Sequence, residues 1–350
     1  MVGARSIPRL PRSDPLVARV IRDWRALTGG GRDAPGMRRT LIACSGGADS
    51  SALAICLTAA SDDLVIGHIV HDMRAGAEAA ADRDSARSLA EWLGAPFCED
   101  RVEARPAGGN LEAKSRRMRY IALASLAEAH GCRFVATAHH LDDQLETVLL
   151  RMLRGAGPRG LGGIASRRMV RTRLGGAITI VRPMLGVHRR DTEAICGRAG
   201  WSWRHDVTNE DVSRDRAFLR SRVLPLLAER FPRGAERAGE VAALQAMIAD
   251  CLAVDARRVR PLKHDGALEW SRAELKLLHP VHLGEVLRSG WITLQGNIGL
   301  DRLSQRSLRA ACTMISDSSG AMRRVEWAGV ELVVTRSAVM MRRKDAVHGT

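Results

Sequence analysis

The chain has 350 residues, enough for two domains, and only 3% of them are aromatic against 45% hydrophobic, so its core must be mainly aliphatic. Its formal charge of +15 sits at the two ends: residues 1–40 carry nine Arg and three acids, residues 216–350 carry 22 basic and 14 acidic residues, and 41–215 is close to neutral. Seven scattered cysteines without a Cys-x-x-Cys pair exclude a zinc knuckle, an iron–sulfur site or a disulfide scaffold. With no apolar run of membrane-span length and no apolar signal core, the expectation is a soluble cytoplasmic protein.

Residues 1–36 read as a basic N-terminal extension with one helix, 15–28, capped by Asp14 and opened by Pro15. Thr40–Cys44 is a buried-strand run, and Ser45, Gly46 and Gly47 form a small-residue turn. From Asp49 the spacing is helical, with Leu53, Cys56 and Leu57 on one face. Further strands are predicted at 64–70, 96–102, 133–138 and 177–182. Helices are predicted at 77–93, 111–130, 142–154 and 188–199, with Asn110 capping the second and Gly131 ending it. This alternation predicts an α/β fold, a five-stranded parallel sheet with helices on both faces. Ligands then bind beyond the strand carboxyl ends, where Ser45, His71 and His139 gather. Past about 210 the alternation stops. A linker helix and a smaller, mostly helical C-terminal domain over 216–350 are expected, with two short strands around Gly329.

The segment Ser45-Gly46-Gly47-Ala48-Asp49-Ser50 joins a strand to a helix, where free backbone N–H groups favour a phosphate. A plain tight turn with a first-turn acid reads the same way locally. It has neither the Walker ending nor the dinucleotide fingerprint. The second informative stretch is Thr137-Ala-His-His-Leu-Asp-Asp-Gln-Leu-Glu146. On a helix, Leu145, Val148, Leu149, Met152 and Leu153 form an apolar stripe, while Asp143 and Glu146 lie about 60° apart on the non-core side. Asp142 lies nearer the stripe, as a capping or orienting group. Two such acids can hold Mg²⁺, bind an ammonium or stabilise a helix start. The Gly-rich run 154–163 reads as a linker or as a lid ordered by substrate. Trp201 and Trp203 read as core packing.

Ser45-Gly-Gly-Ala-Asp-Ser50 resembles the Ser-Gly-Gly-x-Asp-Ser signature of the PP-loop ATP pyrophosphatases. Thr137–Gly163, Asn110-Leu-Glu-Ala-Lys-Ser-Arg-Arg-Met-Arg-Tyr120, Val181-Arg-Pro-Met-Leu185, Asp206-Val-Thr-Asn-Glu-Asp211 and Arg220-Ser-Arg222 together resemble the bacterial tRNA(Ile)-lysidine synthase family. Two places depart from it. His71-Asp-Met-Arg74 stands where an Asn-or-Asp-His-Gly-Leu-Arg form belongs, and the C-terminal part matches no family pattern.

The resemblance implies a PP-loop, adenine nucleotide α-hydrolase-like domain over 37–215 and a tRNA-binding C-terminal domain. It implies that ATP activates the wobble cytidine of tRNA(Ile) and that free L-lysine then displaces AMP. Ser45, Gly46, Gly47, Ala48, Asp49 and Ser50 are the implied ATP site, with Asp49 also the candidate for Mg²⁺. Asp49, Asp143 and Glu146 are the implied catalytic residues. Asp143 and Glu146 would take the lysine ammonium, and Arg116 or Arg222 its carboxylate, although Arg116 equally fits a solvated helix face. Arg154, Arg159 and His139 are candidate tRNA contacts. A homodimer is compatible with all of this. The competing functions are tRNA thiolation, disfavoured by the missing cysteine pair, and RNA binding around a vestigial nucleotide site.

Overall fold

A computed structural model describes residues 10–29, 36–71, 76–102, 111–204, 215–296, 303–318, 321–327 and 329–344. The arm before residue 10, the Asn110 cap, Asp72-Met73-Arg74 and the 206–211 motif lie outside them. The chain divides into two compact units, 1–147 with 164–239 and 148–163 with 240–350.

The first unit opens with α1 (Pro15–Leu27), where Asp14 Oδ1 accepts from the Leu16 and Val17 N–H groups at 3.0 and 3.2 Å. Val17, Val20, Ile21 and Trp24 form its buried stripe. Then follow β1 (Thr40–Ala43), α2 (Ala48–Thr58), β2 (Leu64–His71), α3 (Gly76–Leu93), β3 (Phe97–Val102), α4 (Leu111–Ala129), β4 (Phe134–Ala136) and α5 (Leu141–Leu153). After α6 (Pro158–Leu161), which belongs to the second unit, the first continues with β5 (Arg167–Arg171), β6 (Ala177–Val181) and α7 (Arg189–Ala199). The sheet order is β3-β2-β1-β4-β6-β5. The five strands of the hydropathy pattern are all parallel, and β5 adds a sixth, antiparallel to β6. Its sequence, Arg-Arg-Met-Val-Arg, gives no apolar run, so periodicity does not reveal it.

Strand alternation divides the core between the two sheet faces. Ile42 and Cys44 pack with α1, α2, α3 and α7, while Leu41 and Ala43 pack with α4. Trp201 and Trp203 pack against the first of these clusters, as the sequence suggested. Because β1 pairs with β2 on one side and β4 on the other, the chain reverses direction across the sheet between β1 and β4. A crevice opens beyond the strand ends at such a switch point.

Gly67 of β2 keeps this centre tight. A Cβ there would lie 2.6 Å from Leu41 Cδ2, and the Gly67 carbonyl accepts from the Cys44 N–H at 2.8 Å, one residue before the glycine turn begins. Gly67→Ala is expected to cost about 1–3 kcal/mol by overpacking, seen as a lower midpoint in thermal unfolding. An unchanged midpoint would show that the layer yields.

The first unit ends with α8 (Asp215–Phe218), a π-helical turn Leu219–Val223, α9 (Leu224–Arg230) and the start of α10 (Gly234–Ala256). In the second unit the Gly-rich run is built rather than loose. Arg151 Nη1 donates to the carbonyls of Gly160 and Gly163 at 2.8 and 2.6 Å, and Arg159 pairs with Glu285 at 2.8 Å. The same unit holds β7 (Leu262–His264), β8 (Ala267–Ser271), α11 (Arg272–Lys276), α12 (Pro280–Gln295), α13 (Gln305–Ser316), β9 (Arg323–Trp327), β10 (Val330–Val334) and β11 (Ala338–Arg343). These strands form an antiparallel sheet, β7-β8-β11-β10-β9, packed with α12 and α13 around Trp270, Trp291, Leu332 and Met341. The two strands expected around Gly329 are β9 and β10, and β11 is a third that the pattern did not separate. The β7–β8 hairpin turns on Asp265-Gly266, both at positive φ, a turn signal the periodicity reading passes over.

Candidate active site

The glycine loop after β1 is braced from behind. Gly46 has φ +85°, and a Cβ on it would sit 3.0 Å from the Asp82 carbonyl, so only glycine suits the place. The Gly46 carbonyl accepts from the Arg204 N–H at 3.1 Å. Ser50 Oγ closes the turn from inside, accepting from the Ser45 N–H and donating to the Gly47 carbonyl, each at 3.1 Å. No side chain caps α2, whose N-cap is Gly47. Its first N–H groups thus face the crevice with the helix dipole behind them, which is an anion site.

Asp49, in the first turn of α2, is gripped from two sides. Oδ1 accepts from Thr192 Oγ at 2.6 Å, and Oδ2 lies 3.6 Å from His140 Nε2. Burial opposes its ionisation, but His140, Thr192 and Arg189 outweigh it and hold the carboxyl below the usual range. His140, 2% exposed, also lies 3.5 Å from Asp143 and 3.6 Å from Asp142. Burial disfavours its imidazolium, yet these acids together raise its pKa above the ordinary value.

The sign of the pH effect follows. A raised histidine stabilises the fold fully below its unfolded pKa, about 6.5, and the benefit fades as pH rises through the folded value. The lowered Asp49 stabilises above its unfolded pKa, about 3.9, and loses that as pH falls through the folded one. The gap in melting temperature between the native chain and His140→Asn is expected to be wide near pH 6 and to narrow toward pH 9. A gap constant across that range would remove the charge from the account.

Asp142 fills the orienting role, accepting from the Arg189 N–H at 2.8 Å. Asp143 Oδ2 accepts from the His140 N–H at 3.1 Å, and the carboxylate lines the crevice. Glu146 is placed otherwise than the helical wheel suggests. It is 1% exposed, and the Arg220 guanidinium covers it with hydrogen bonds of 2.7 and 3.0 Å while also reaching Asp143 at 3.4 Å. The wheel places Glu146 away from the apolar stripe, but the segment that lies over it starts some seventy residues further on.

On the other wall, Arg116 Nη2 donates to His139 Nε2 at 3.3 Å. A guanidinium only donates, so His139 Nδ1 carries the proton and donates to Thr137 Oγ at 3.0 Å. Burial first, then Arg182 and Arg116, keep this imidazole neutral, with a pKa well below its ordinary value. Ser45, Asp49, Ser50, Arg116, His139 and Asp143 all line one cleft of about 460 Å³.

Gly46, Gly47 and Ala48 complete the loop, and Glu146 is not among the cleft's lining but shares Arg220 with Asp143. Arg222 is exposed on the π-helical turn, and it is Arg220 that meets the acids. Arg154 and Arg159 belong to the second unit. Sequence reasoning missed Arg220, His140, Thr192 and Arg216, which donates to Thr147 Oγ at 3.2 Å. The Arg220-x-Arg222 motif pointed to the right segment. The wider π turn decides which arginine faces inward, and that is not written in the spacing.

A glycine turn and uncapped helix at the switch point of a parallel sheet define an ATP-binding PP-loop unit, and the PP-loop domain family profile matches residues 22–227. The chain is 44% identical over 196 residues to the tRNA(Ile)-lysidine synthase of Thermus thermophilus, covering 55% of this chain and 36% of that protein. It is 36% identical over 275 residues to that of Bordetella bronchiseptica, covering 75% and 76%, and 35% identical over 277 residues to that of Bordetella pertussis, covering 75% and 82%. The match thus spans about a third of the Thermus protein and three quarters or more of the Bordetella ones. The chain belongs to the tRNA(Ile)-lysidine synthase family.

Proposed function

We propose that the chain ligates free L-lysine to C2 of the wobble cytidine of a tRNA(Ile) with a CAU anticodon. The cytidine O2 attacks the α-phosphorus of ATP and diphosphate leaves. The lysine ε-amine then attacks C2, loses a proton, and AMP departs with the former O2. The observation that carries this reading is the shared cleft: Ser45, Asp49 and Ser50 on one side and Asp143 on the other.

In this reading Ser45, Gly46, Gly47, Ala48, Asp49 and Ser50 hold the phosphates. Mg²⁺ would be held by Asp49 together with phosphate oxygens, since among the described residues no three His, Cys, Asp or Glu side chains converge as a cage. A hard cation with one carboxylate and phosphates fits that donor set, and it would neutralise the charge of the polyphosphate. Asp143 and Glu146 orient the lysine ammonium and Arg116 takes the carboxylate in bidentate fashion. A carboxylate beside the amine, or a water it holds, receives the proton. Arg154, Arg159 and His139 are tRNA contacts, and the basic C-terminal part, 216–350, is a tRNA-binding domain. A cytoplasmic location is part of the same reading.

Thiolation is disfavoured by the thiols themselves. Every described cysteine is unpaired and all except Cys251 are buried; burial, with Asp49 nearby, pushes Cys196 to about 12. Incubation with ATP, labelled lysine and bulk tRNA, followed by mass analysis of the nucleosides, tests the proposal. Lysine-dependent AMP release and a lysidine peak are expected; tRNA-dependent AMP release without lysine in the product would sink it.

A further inference from the structure

Tyr120, the sole tyrosine of the chain, stands at the cleft wall with three guanidinium groups about its ring. Arg116, Arg168 and Arg182 lie 6.0, 5.9 and 5.7 Å from the ring centroid, and Arg182 Nη2 donates to the Tyr120 hydroxyl at 3.1 Å. Arg182 is only 4% exposed, its Nε is buried without a partner, and its other hydrogen bond goes to the Ala165 carbonyl. Among the described residues no carboxylate lies within salt-bridge distance of Arg116, Arg168 or Arg182. A buried cation without a counter-ion is costly unless an anion completes its surroundings.

Arg168 comes from β5, the outermost strand. Alternation puts it on the same face as Val170, which packs in the core cluster with Tyr120. Arg167 and Arg171 point the other way, exposed, beside Met169 at 74% exposure. Arginines on an edge strand also guard against strand pairing, but that does not account for the buried Arg182 or for the exposed Arg168 lying over the Tyr120 ring. Positive charge therefore runs from the cleft wall along the sheet edge, a length that suits an extended polyanion better than one carboxylate.

We infer that Arg168 and Arg182, set around Tyr120, form a cradle for a phosphodiester group of the RNA strand next to the base that enters the cleft. This rests on the proposed function for the identity of the RNA. Arg116 stays with the lysine carboxylate. The shared chemistry is a phosphate, whose other source is the polyphosphate of ATP, and the two sources are separable.

The test uses the full chain and a tRNA(Ile) transcript with a CAU anticodon. RNA affinity is measured at several salt concentrations without ATP or lysine, and Michaelis constants for ATP and lysine are measured separately. Arg168 is exposed enough for Arg168→Gln to leave the fold intact, which circular dichroism checks. This variant is expected to bind the transcript about tenfold more weakly, a loss typical of one charge-assisted contact. The slope of log affinity against log salt should fall by about 0.7, one cation fewer on a single strand. Arg168→Lys should recover most of the affinity, and the lysine and ATP constants should stay put. Unchanged RNA affinity overturns the cradle. So does a rise confined to the lysine constant, which would make it a carboxylate site, or one confined to ATP, which would make it a polyphosphate site. The binding arm needs no turnover, so a chain that makes no lysidine removes the proposed function while the salt slope still judges the cradle.

Discussion

Asp49→Asn is expected to lower lysine incorporation into tRNA about 10³-fold, the scale on which a positioned electrostatic group acts in a transition state. Asparagine keeps an oxygen for Thr192 Oγ and nearly the same volume, so the Asp49–Thr192 contact of 2.6 Å survives. What goes is the negative charge. His140 loses one of the acids that raise its pKa, and Mg²⁺ loses its protein ligand in the proposed site. Two readouts separate these losses. The His140 titration, followed by NMR, should move toward lower pH, and the activity loss should ease in part at high Mg²⁺. Full activity in the variant would take Asp49 out of the chemistry.

Glu146→Gln is expected to raise the Michaelis constant for lysine about 100-fold, near 2.7 kcal/mol, with the constant for ATP little changed. Glu146 lies sealed beneath Arg220, with both its oxygens engaged at 2.7 and 3.0 Å. A neutral amide leaves that guanidinium short of charge. It should then lean on Asp143, already 3.4 Å away, and so weaken both acids for an ammonium at once. Stability should also fall, by about 2 kcal/mol rather than the 3–5 of a fully buried broken pair, because the Arg220 side chain is a third exposed and water screens it. Steady-state kinetics with lysine varied, alongside urea unfolding, measure both effects. An unaltered lysine requirement would remove Glu146 from the amine pocket.

Much of the first unit was legible because its signals are local. The run Thr40–Cys44 is apolar, the turn after it is small, and Asp14 precedes Pro15, so strand, loop and capped helix follow from neighbours in sequence. The cleft was legible for a similar reason: Ser45 and His139 follow adjacent parallel strands, and topology alone brings such residues to one rim. What escaped was set by distant partners. β5 has no apolar run, since one of its faces is solvent. The β7–β8 hairpin is declared by Asp265-Gly266 rather than by its polar flanks. Glu146 falls on the non-core side because a wheel knows only its own helix, and the cover comes from residue 220. The choice between Arg220 and Arg222 turned on one wider helical turn.

The seal on Glu146 bears on how tightly a small cation can be held. If lysine binds as proposed, its ammonium would not drop into two bare carboxylates; to reach Glu146 it would have to trade places with a resident guanidinium. The observed dissociation constant is then the intrinsic one divided by the fraction of molecules whose arginine has let go. In the proposed lysine site a weak ground-state grip would follow, and anything that draws the 215–223 segment aside would tighten it without touching a carboxylate.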